Sequence, residues 1–112
     1  MRIELPIRIV SPNVMEHWRV RYKRNKTQCG LLTMQLRMNK EPLLLPCIVT
    51  MTRRGSKPLD DDNYRFSLKA IKDTIADHLI PGLAPGQADG SREITWVYKQ
   101  EKGENALIIE IV

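Results

Sequence analysis

The chain has 112 residues, of which 42% are hydrophobic and 28% are charged, and its formal net charge is +5. This length and composition predict one folded domain spanning residues 1–112 and exclude a disordered or low-complexity chain. The apolar runs are too short for a signal peptide or a membrane span, so we expect a cytosolic protein. Cys29 and Cys47 lack zinc-site spacing, and we expect two reduced, mostly buried thiols.

The first half of the chain predicts a strand followed by a helix. Ile3, Leu5, Ile7 and Ile9 alternate with polar residues and Pro6, which is typical of a half-buried strand at a sheet edge. Asn13 and Glu16 then have the spacing of a capping box, which predicts a helix from about Val14 to Met38. Gly30 weakens the middle of that helix.

The second half predicts three more strands and a second helix. Residues 43–53 are largely apolar and predict an interior strand. From Asn63 onward, apolar residues recur at helical spacing as far as Leu79, and residues 83–91 predict a loop. Residues 93–99 and 106–111 predict the last two strands. The whole pattern indicates an α+β fold, a small mixed sheet of about four strands covered by two main helices.

All six aspartates lie between positions 60 and 89, and three of them are consecutive. In an extended segment Asp60 and Asp62 would share one face and Asp61 would point away. Carboxylate oxygens are what hard divalent cations prefer, so Asp60 and Asp62 predict part of a cation site, with Asp89 as the third ligand. Two alternatives stay open: one aspartate caps the following helix, and Asp89 belongs to an ordinary turn with Gly90.

Lys69 is the predicted cation of this site. Asp62, Phe66, Lys69 and Asp73 follow one another at spacings of four, three and four, so a continuous helix would place them on one stripe. A lysine leans toward the helix N-terminus and would point at the aspartates. The alternative is a surface pair between Lys69 and Asp73 worth about 0.5 kcal/mol.

Basic residues are concentrated in the first half of the chain. Residues 1–57 carry twelve Lys or Arg against three Glu, whereas residues 58–112 carry six against ten acidic residues. Basic side chains interleaved with Trp18 and Tyr22 favour binding to a nucleic acid, and a solvated helix face is the alternative. The predicted DNA contacts are Arg19, Arg21, Lys23, Arg24, Lys26, Arg53, Arg54 and Lys57.

Several segments together resemble the RusA family of Holliday junction resolvases, particularly phage and prophage versions. They are "SPNVMEHWRVRYKR", "KPLDDDN", "LKAIKDTIADHL", "ADGSREITW" and "YKQEKG", which run through nearly the whole chain. The resemblance implies a homodimeric, Mg²⁺-dependent endonuclease, with Mn²⁺ as a possible substitute, that cuts four-way DNA junctions by paired nicks. It implies metal ligands at Asp60, Asp62 and Asp89, and a bacterial cytoplasm as the setting.

The sequence departs from the family pattern at two positions. Phe66 stands three residues after Asn63, where the family commonly has a lysine, and Lys69 follows one turn later. Ala88 precedes Asp89, where the family often has a second aspartate. Two other functions therefore stay open. One is a RusA-like DNA-binding protein with weak or no catalysis, and the other is a structural cation-binding protein without a nucleic-acid role.

Overall fold

A computed structural model describes residues 1–84 and 87–112. Within these residues, β1 (Arg2–Leu5), β2 (Cys47–Gly55), β3 (Ile94–Lys102) and β4 (Ala106–Ile111) form one sheet of four strands in the order β1-β4-β2-β3. β4 pairs antiparallel with β1 and β2, while β2 and β3 are parallel. The predicted α+β fold with a mixed sheet is confirmed, as are the edge position of β1 and the interior position of β2.

The first helix, α1 (Trp18–Met38), begins four residues later than predicted and runs through Gly30. His17 is its N-cap, and the His17 Nδ1 accepts a hydrogen bond from the Arg19 N–H at 3.1 Å. The predicted capping box was wrong, because the Asn13 N–H donates to Ser11 Oγ and Glu16 binds arginines instead. The segment before α1 is therefore held by side-chain contacts and is not helical.

The predicted second helix is interrupted at Leu68. The structure has α2 (Asp61–Ser67) and α3 (Lys69–Leu79), separated by Leu68 with φ −92° and ψ 3°. Leu68 has no exposed surface, and its N–H still donates to the Tyr64 carbonyl oxygen at 3.2 Å. Because Leu68 is buried, the apolar periodicity continues across the break, and the residue pattern alone does not reveal it. The consequence is that Lys69 begins a new helix.

The core lies between the helices and one face of the sheet. Its members include Ile3, Val49, Met51 and Ile109 from the strands, and a helical set: Leu32, Leu36, Leu68, Ile71 and Ile75. Ile48 on the opposite face is 48% exposed. Cys47 is buried, which raises the pKa of its thiol, and Cys29 is partly buried; both are free thiols.

The structure also bears on the membrane-span expectation and on the predicted loop over residues 83–91. None of the helices in the described ranges is long and apolar enough to cross a membrane. The predicted loop over residues 83–91 contains Pro85 and Gly86, which lie outside the described residues. Within the described part of that loop, Ala88–Gly90 forms a single 3-10 turn.

Candidate metal and nucleic-acid site

The three consecutive aspartates lie where the loop after β2 enters α2. Asp60 is the N-cap residue, but its side chain makes no capping hydrogen bond. Its carbonyl oxygen accepts the first helical bond, from the Tyr64 N–H at 2.8 Å. Asp61 and Asp62 occupy the first turn, and all three residues are exposed to solvent. Negative charges near a helix N-terminus are stabilised by the helix dipole. Side-chain capping, however, does not explain why three aspartates are present here, because the Asp60 side chain makes no capping hydrogen bond.

Tyr64 fixes α2 to the sheet. Its side chain is fully buried in the core, and its hydroxyl donates a hydrogen bond to the Met51 carbonyl oxygen at 2.7 Å. The Tyr64 ring also meets the Tyr98 ring edge-on, with 6.0 Å between the centroids. Burial raises the pKa of the Tyr64 hydroxyl, so it stays a neutral donor. The aspartates that precede Tyr64 are thereby anchored to β2.

Lys69 joins two carboxylates that are far apart in sequence. The Lys69 Nζ lies 2.9 Å from Asp73 Oδ1 and 3.0 Å from Asp89 Oδ2. Hydrogen bonds to Asp73 and then to Asp89 raise the pKa of the ammonium. The same ammonium lowers the pKa of the Asp89 carboxyl group. The surface pair with Asp73 therefore exists, but Lys69 also makes a second contact that spacing could not reveal.

A short turn held by β3 positions Asp89. Ala88 has no exposed surface, and the Trp96 indole N–H donates to the Asp89 carbonyl oxygen at 3.1 Å. The Lys72 ammonium lies 5.1 Å from the Trp96 ring centroid, a cation–π arrangement. The Asp89 side chain is 18% exposed. Asp89 does belong to a turn with Gly90, and that turn presents its carboxylate to Lys69.

Within the described residues, Asp60, Asp62 and Asp89 are not gathered into one group of ligands. In residues 1–84 and 87–112, no three His, Cys, Asp or Glu side chains are positioned as a group to hold a metal ion. Asp89 is in contact with Lys69, while Asp60 and Asp62 lie at the start of the preceding helix. All three offer carboxylate oxygen, the donor that Mg²⁺ and Mn²⁺ take in proteins, so the donor set fits these ions.

Arg21 and Arg24 on α1 bind Glu16. Arg24 Nη1 donates to Glu16 Oε2 at 3.0 Å, and Arg21 Nε donates to Glu16 Oε1 at 3.3 Å. Arg21 Nη2 also reaches the carbonyl oxygens of Pro12 and Val14. The hydrogen bonds from Arg24, then those from Arg21, lower the pKa of Glu16 to about 2. These two predicted DNA contacts therefore hold the segment before α1 in place and share one negative charge.

The other predicted basic residues of α1 face solvent. Arg19, Lys23 and Lys26 are exposed, and the Arg19 guanidinium lies 5.5 Å from the Trp18 ring centroid. Trp18 is 67% exposed and Tyr22 is 60% exposed, so the first turns of α1 present cations and aromatic rings together. Such a surface suits contacts with a phosphate backbone and with unpaired bases.

Arg53 and Arg54 are neighbours on β2 and project from opposite faces of the sheet. Arg53 is 7% exposed, and its Nη1 donates to the Lys57 carbonyl oxygen at 2.8 Å. Arg54 pairs with Glu4, and its Nε lies 3.9 Å from Glu101 Oε1. In this conformation Arg53 has almost no surface to offer a phosphate, and Arg54 is already paired. Lys57, by contrast, is exposed.

A groove of about 280 Å³ lies between α1 and the helical residues Lys69 and Asp73. Arg21 and Arg24 line one side, and Phe66, Lys69 and Asp73 line the other. Phe66 is 68% exposed, so it gives this side of the groove an open aromatic surface. The groove places the basic helix and Lys69 within one continuous surface.

Two cations that rest on aromatic rings of β3 were not predicted from the sequence. Arg65 lies 4.6 Å from the Tyr98 ring centroid, as Lys72 lies over Trp96. The signal was present: Arg65 and Lys72 are seven residues apart, and Trp96 and Tyr98 are two apart on one face of a strand. Of the two pairs, the one at Trp96 adjoins Asp89, because the Trp96 indole N–H donates to the Asp89 carbonyl oxygen.

Comparison of the chain with protein-family models, curated proteins and solved structures found no match. The resemblance to RusA-type resolvases therefore rests on the sequence motifs alone.

Proposed function

We propose that this protein is a metal-dependent endonuclease that cleaves four-way DNA junctions and acts as a homodimer. The observation that carries the proposal is the contact between Lys69 and Asp89, which links the helical segment after Asp60 to the later aspartate across 20 positions of sequence. The RusA family commonly has a lysine at the position of Phe66. Lys69 lies one turn later and still contacts Asp89, which supports Lys69 as the substitute for that lysine. A cytoplasmic, phage- or prophage-encoded setting belongs to the same proposal.

In the proposed site Asp60, Asp62 and Asp89 would hold Mg²⁺ or Mn²⁺. When bound, such an ion supplies positive charge to a phosphate oxygen and lowers the pKa of an attacking water. Ligation of Asp89 would release the Lys69 ammonium from that carboxylate, and the ammonium would then stabilise charge on the phosphate or the leaving oxygen. Asp73 would keep Lys69 protonated and pointed into the site.

The DNA would approach along α1. Arg19, Lys23 and Lys26 are exposed cations there, with Trp18 and Tyr22 as stacking surfaces. Lys57, in the loop before the aspartates, would contact a phosphate next to the scissile bond. Cutting opposed strands of a two-fold symmetric junction calls for two sites related by a two-fold axis, and a homodimer supplies them.

A non-catalytic, branched-DNA-binding protein is the second candidate. It is favoured by Phe66, an exposed aromatic residue at the family's lysine position, which suits stacking on an unpaired base better than phosphate chemistry. In this alternative the aspartates would have no hydrolytic role, and the α1 surface would account for the binding of branched DNA.

The deciding experiment incubates the protein with an end-labelled synthetic four-way junction and with a linear duplex of the same sequence. We expect paired nicks in the junction with Mg²⁺ or Mn²⁺ and none after chelation by EDTA, while the duplex stays intact. Binding of the junction without cleavage at any Mg²⁺ or Mn²⁺ concentration would support the second candidate. Equal cleavage of junction and duplex would contradict the proposed structure selectivity.

A further inference from the structure

Two side chains, Arg53 and Gln100, hydrogen-bond to the backbone of the loop between β2 and α2. Gln100 on β3 makes a pair of hydrogen bonds to the backbone of Leu59: its Oε1 accepts from the Leu59 N–H at 2.9 Å, and its Nε2 donates to the Leu59 carbonyl oxygen at 2.8 Å. The Gln100 amide therefore forms the same two hydrogen bonds with Leu59 that a directly opposed backbone residue forms in an antiparallel pair of strands. It fixes the residue that immediately precedes Asp60.

Arg53 completes this arrangement. Its Nη1 donates both to the Lys57 carbonyl oxygen at 2.8 Å and to Gln100 Oε1 at 3.2 Å. Arg53 and Gln100 are directly paired in the parallel register of β2 and β3, so their side chains emerge side by side. The guanidinium folds back over Gly55, where an added Cβ would lie 2.9 Å from Arg53 Nη2.

The burial of the Arg53 guanidinium carries an energetic cost. Arg53 is 7% exposed, and in the described residues its Nε has no hydrogen-bond partner and no carboxylate pairs with it. Burial consequently lowers the pKa of the guanidinium. Burying a cation on these terms is unfavourable for folding. In this buried position Arg53 hydrogen-bonds to the Lys57 carbonyl oxygen and to Gln100, and these bonds hold the loop that leads to Asp60.

We infer that Gln100 and Arg53 are positioning residues that set the location of Asp60 for metal binding. The inference rests on the proposed function, because it assigns these residues to the proposed metal site. Mg²⁺ requires near-octahedral ligation at short distances, whereas Ca²⁺ accepts a flexible ligand set. A loop freed from Gln100 would therefore lose Mg²⁺ affinity and would lose selectivity for Mg²⁺ over Ca²⁺.

The test compares Gln100→Met with wild type, using Lys99→Met as a matched control on the exposed face of the same strand. Methionine keeps the length of glutamine but makes neither bond to Leu59. By isothermal titration of the DNA-free protein, we expect Gln100→Met to weaken Mg²⁺ and Mn²⁺ binding by about 10-fold to 100-fold, the usual effect of removing a group that orients a metal ligand. Ca²⁺ binding should fall less, and Lys99→Met should match wild type.

Amide hydrogen exchange of Leu59 in the metal-free proteins provides an independent measurement. The Leu59 N–H should exchange slowly in wild type and at least about 10-fold faster in Gln100→Met, with the strand amides of β2 unchanged. Fast Leu59 exchange with unchanged affinity and unchanged Mg²⁺-to-Ca²⁺ selectivity would overturn the inference and leave the proposed function standing. Wild-type protein that binds no divalent ion would overturn both the proposed function and this inference.

Gln100→Glu covers the case in which Gln100→Met does not fold. Glutamate keeps the acceptor for the Leu59 N–H and for Arg53, but it places an oxygen against the Leu59 carbonyl oxygen. We expect a loss of Mg²⁺ affinity smaller than that of Gln100→Met and larger than that of Lys99→Met. Affinity equal to wild type would overturn the inference.

Discussion

The Lys69 ammonium lies 3.0 Å from the Asp89 carboxylate and ties the first turn of α3 to the turn before β3. The two residues are 20 positions apart, and the break of the helix at Leu68 comes directly before Lys69. The same ammonium also contacts Asp73 at 2.9 Å. One cation therefore sits between two carboxylates, of which Asp89 is a proposed metal ligand.

Replacing Lys69 should have opposite effects on cleavage and on metal binding. Lys69→Met should lower the single-turnover cleavage rate at saturating junction DNA by about 100-fold, the scale of removing one transition-state charge stabiliser. It should also tighten Mn²⁺ binding to the DNA-free protein, because the ammonium no longer competes for Asp89. Quench kinetics and calorimetry measure the two effects.

Lys40→Met is the control for Lys69, since Lys40 is an exposed lysine outside the site. It should leave both the cleavage rate and the Mn²⁺ affinity unchanged. A cleavage rate within a few fold of wild type for Lys69→Met, combined with loss of cleavage in Arg65→Ala or Lys72→Ala, would mean that the catalytic cation lies on a different turn of the helix.

Asp62→Asn should abolish junction cleavage while junction binding persists. The reason is that, in the proposed function, α1 supplies the phosphate contacts and the aspartates supply the chemistry. Asp61→Asn makes the same change of charge one residue away and should cleave within a few fold of wild type. Gel-shift and nicking assays on one labelled junction measure both properties. Normal nicking by Asp62→Asn would rule out Asp62 as a metal ligand.

Exposed lysines of α1 should govern the salt dependence of DNA binding. Lys23→Ala combined with Lys26→Ala should weaken junction affinity and reduce the slope of log K against log salt by about 0.9 for each phosphate that the protein no longer neutralises. Glu16→Gln should do the reverse, because it frees Arg21 and Arg24 from their carboxylate. Fluorescence anisotropy across a salt series measures both. Unchanged slopes in all variants would identify α1 as a solvated helix face.

The ion pairs of Glu16 should make stability depend on pH in the acid range. The pKa of Glu16 is lowered from 4.5 to about 2 in the folded protein. A depressed folded-state pKa stabilises the protein above the unfolded-state value, and that contribution is lost as pH falls from about 5 to about 2. Glu16→Gln should therefore be less stable than wild type at about pH 6, and the difference should shrink toward about pH 2.

Urea unfolding at several pH values measures this effect, with Glu104→Gln as the control at an exposed glutamate. The control should track wild type at every pH. A difference between wild type and Glu16→Gln that stays constant over this whole acid range would show that the arginine contacts do not discriminate between the charged and neutral carboxyl group.

Tyr64→Phe should lower the free energy of unfolding by about 1 kcal/mol, the usual net contribution of one buried hydrogen bond. The substitution keeps the ring against Tyr98 and removes the bond to the Met51 carbonyl oxygen. Tyr22→Phe removes a hydroxyl from a residue that is 60% exposed and should change stability little. Chemical denaturation measures both, and equal stabilities would mean that α2 is held by packing alone.

Much of the architecture was predictable because alternating and helical apolar patterns report directly on which residues face the core. Ile3 and Leu5 in β1, and Ile71 and Ile75 in α3, lie in the core on the predicted faces. The parallel pairing of β2 with β3 was not predictable, because single-strand patterns contain no information about neighbours. The break at Leu68 was hidden because a buried leucine satisfies the helical pattern on either side.

The candidate site was predictable in composition but not in arrangement. Asp89 and Lys69 were singled out by residue type and spacing, yet their contact depends on how the turn at Ala88 packs. Glu16 was assigned to capping, since sequence spacing cannot show that two arginines one and two turns later bind it. Gln100 was overlooked entirely, because its partner Leu59 lies 41 positions away.

The complete burial of Ala88 limits how this loop can vary. An aspartate at this position would place a second carboxylate, next to Asp89, inside the core with the apolar side chains that surround Ala88. Desolvating an unpaired carboxylate costs several kcal/mol, comparable to the total stability of a small domain. A second acidic residue can therefore enter this turn at position 88 only if the packing of the turn before β3 changes with it.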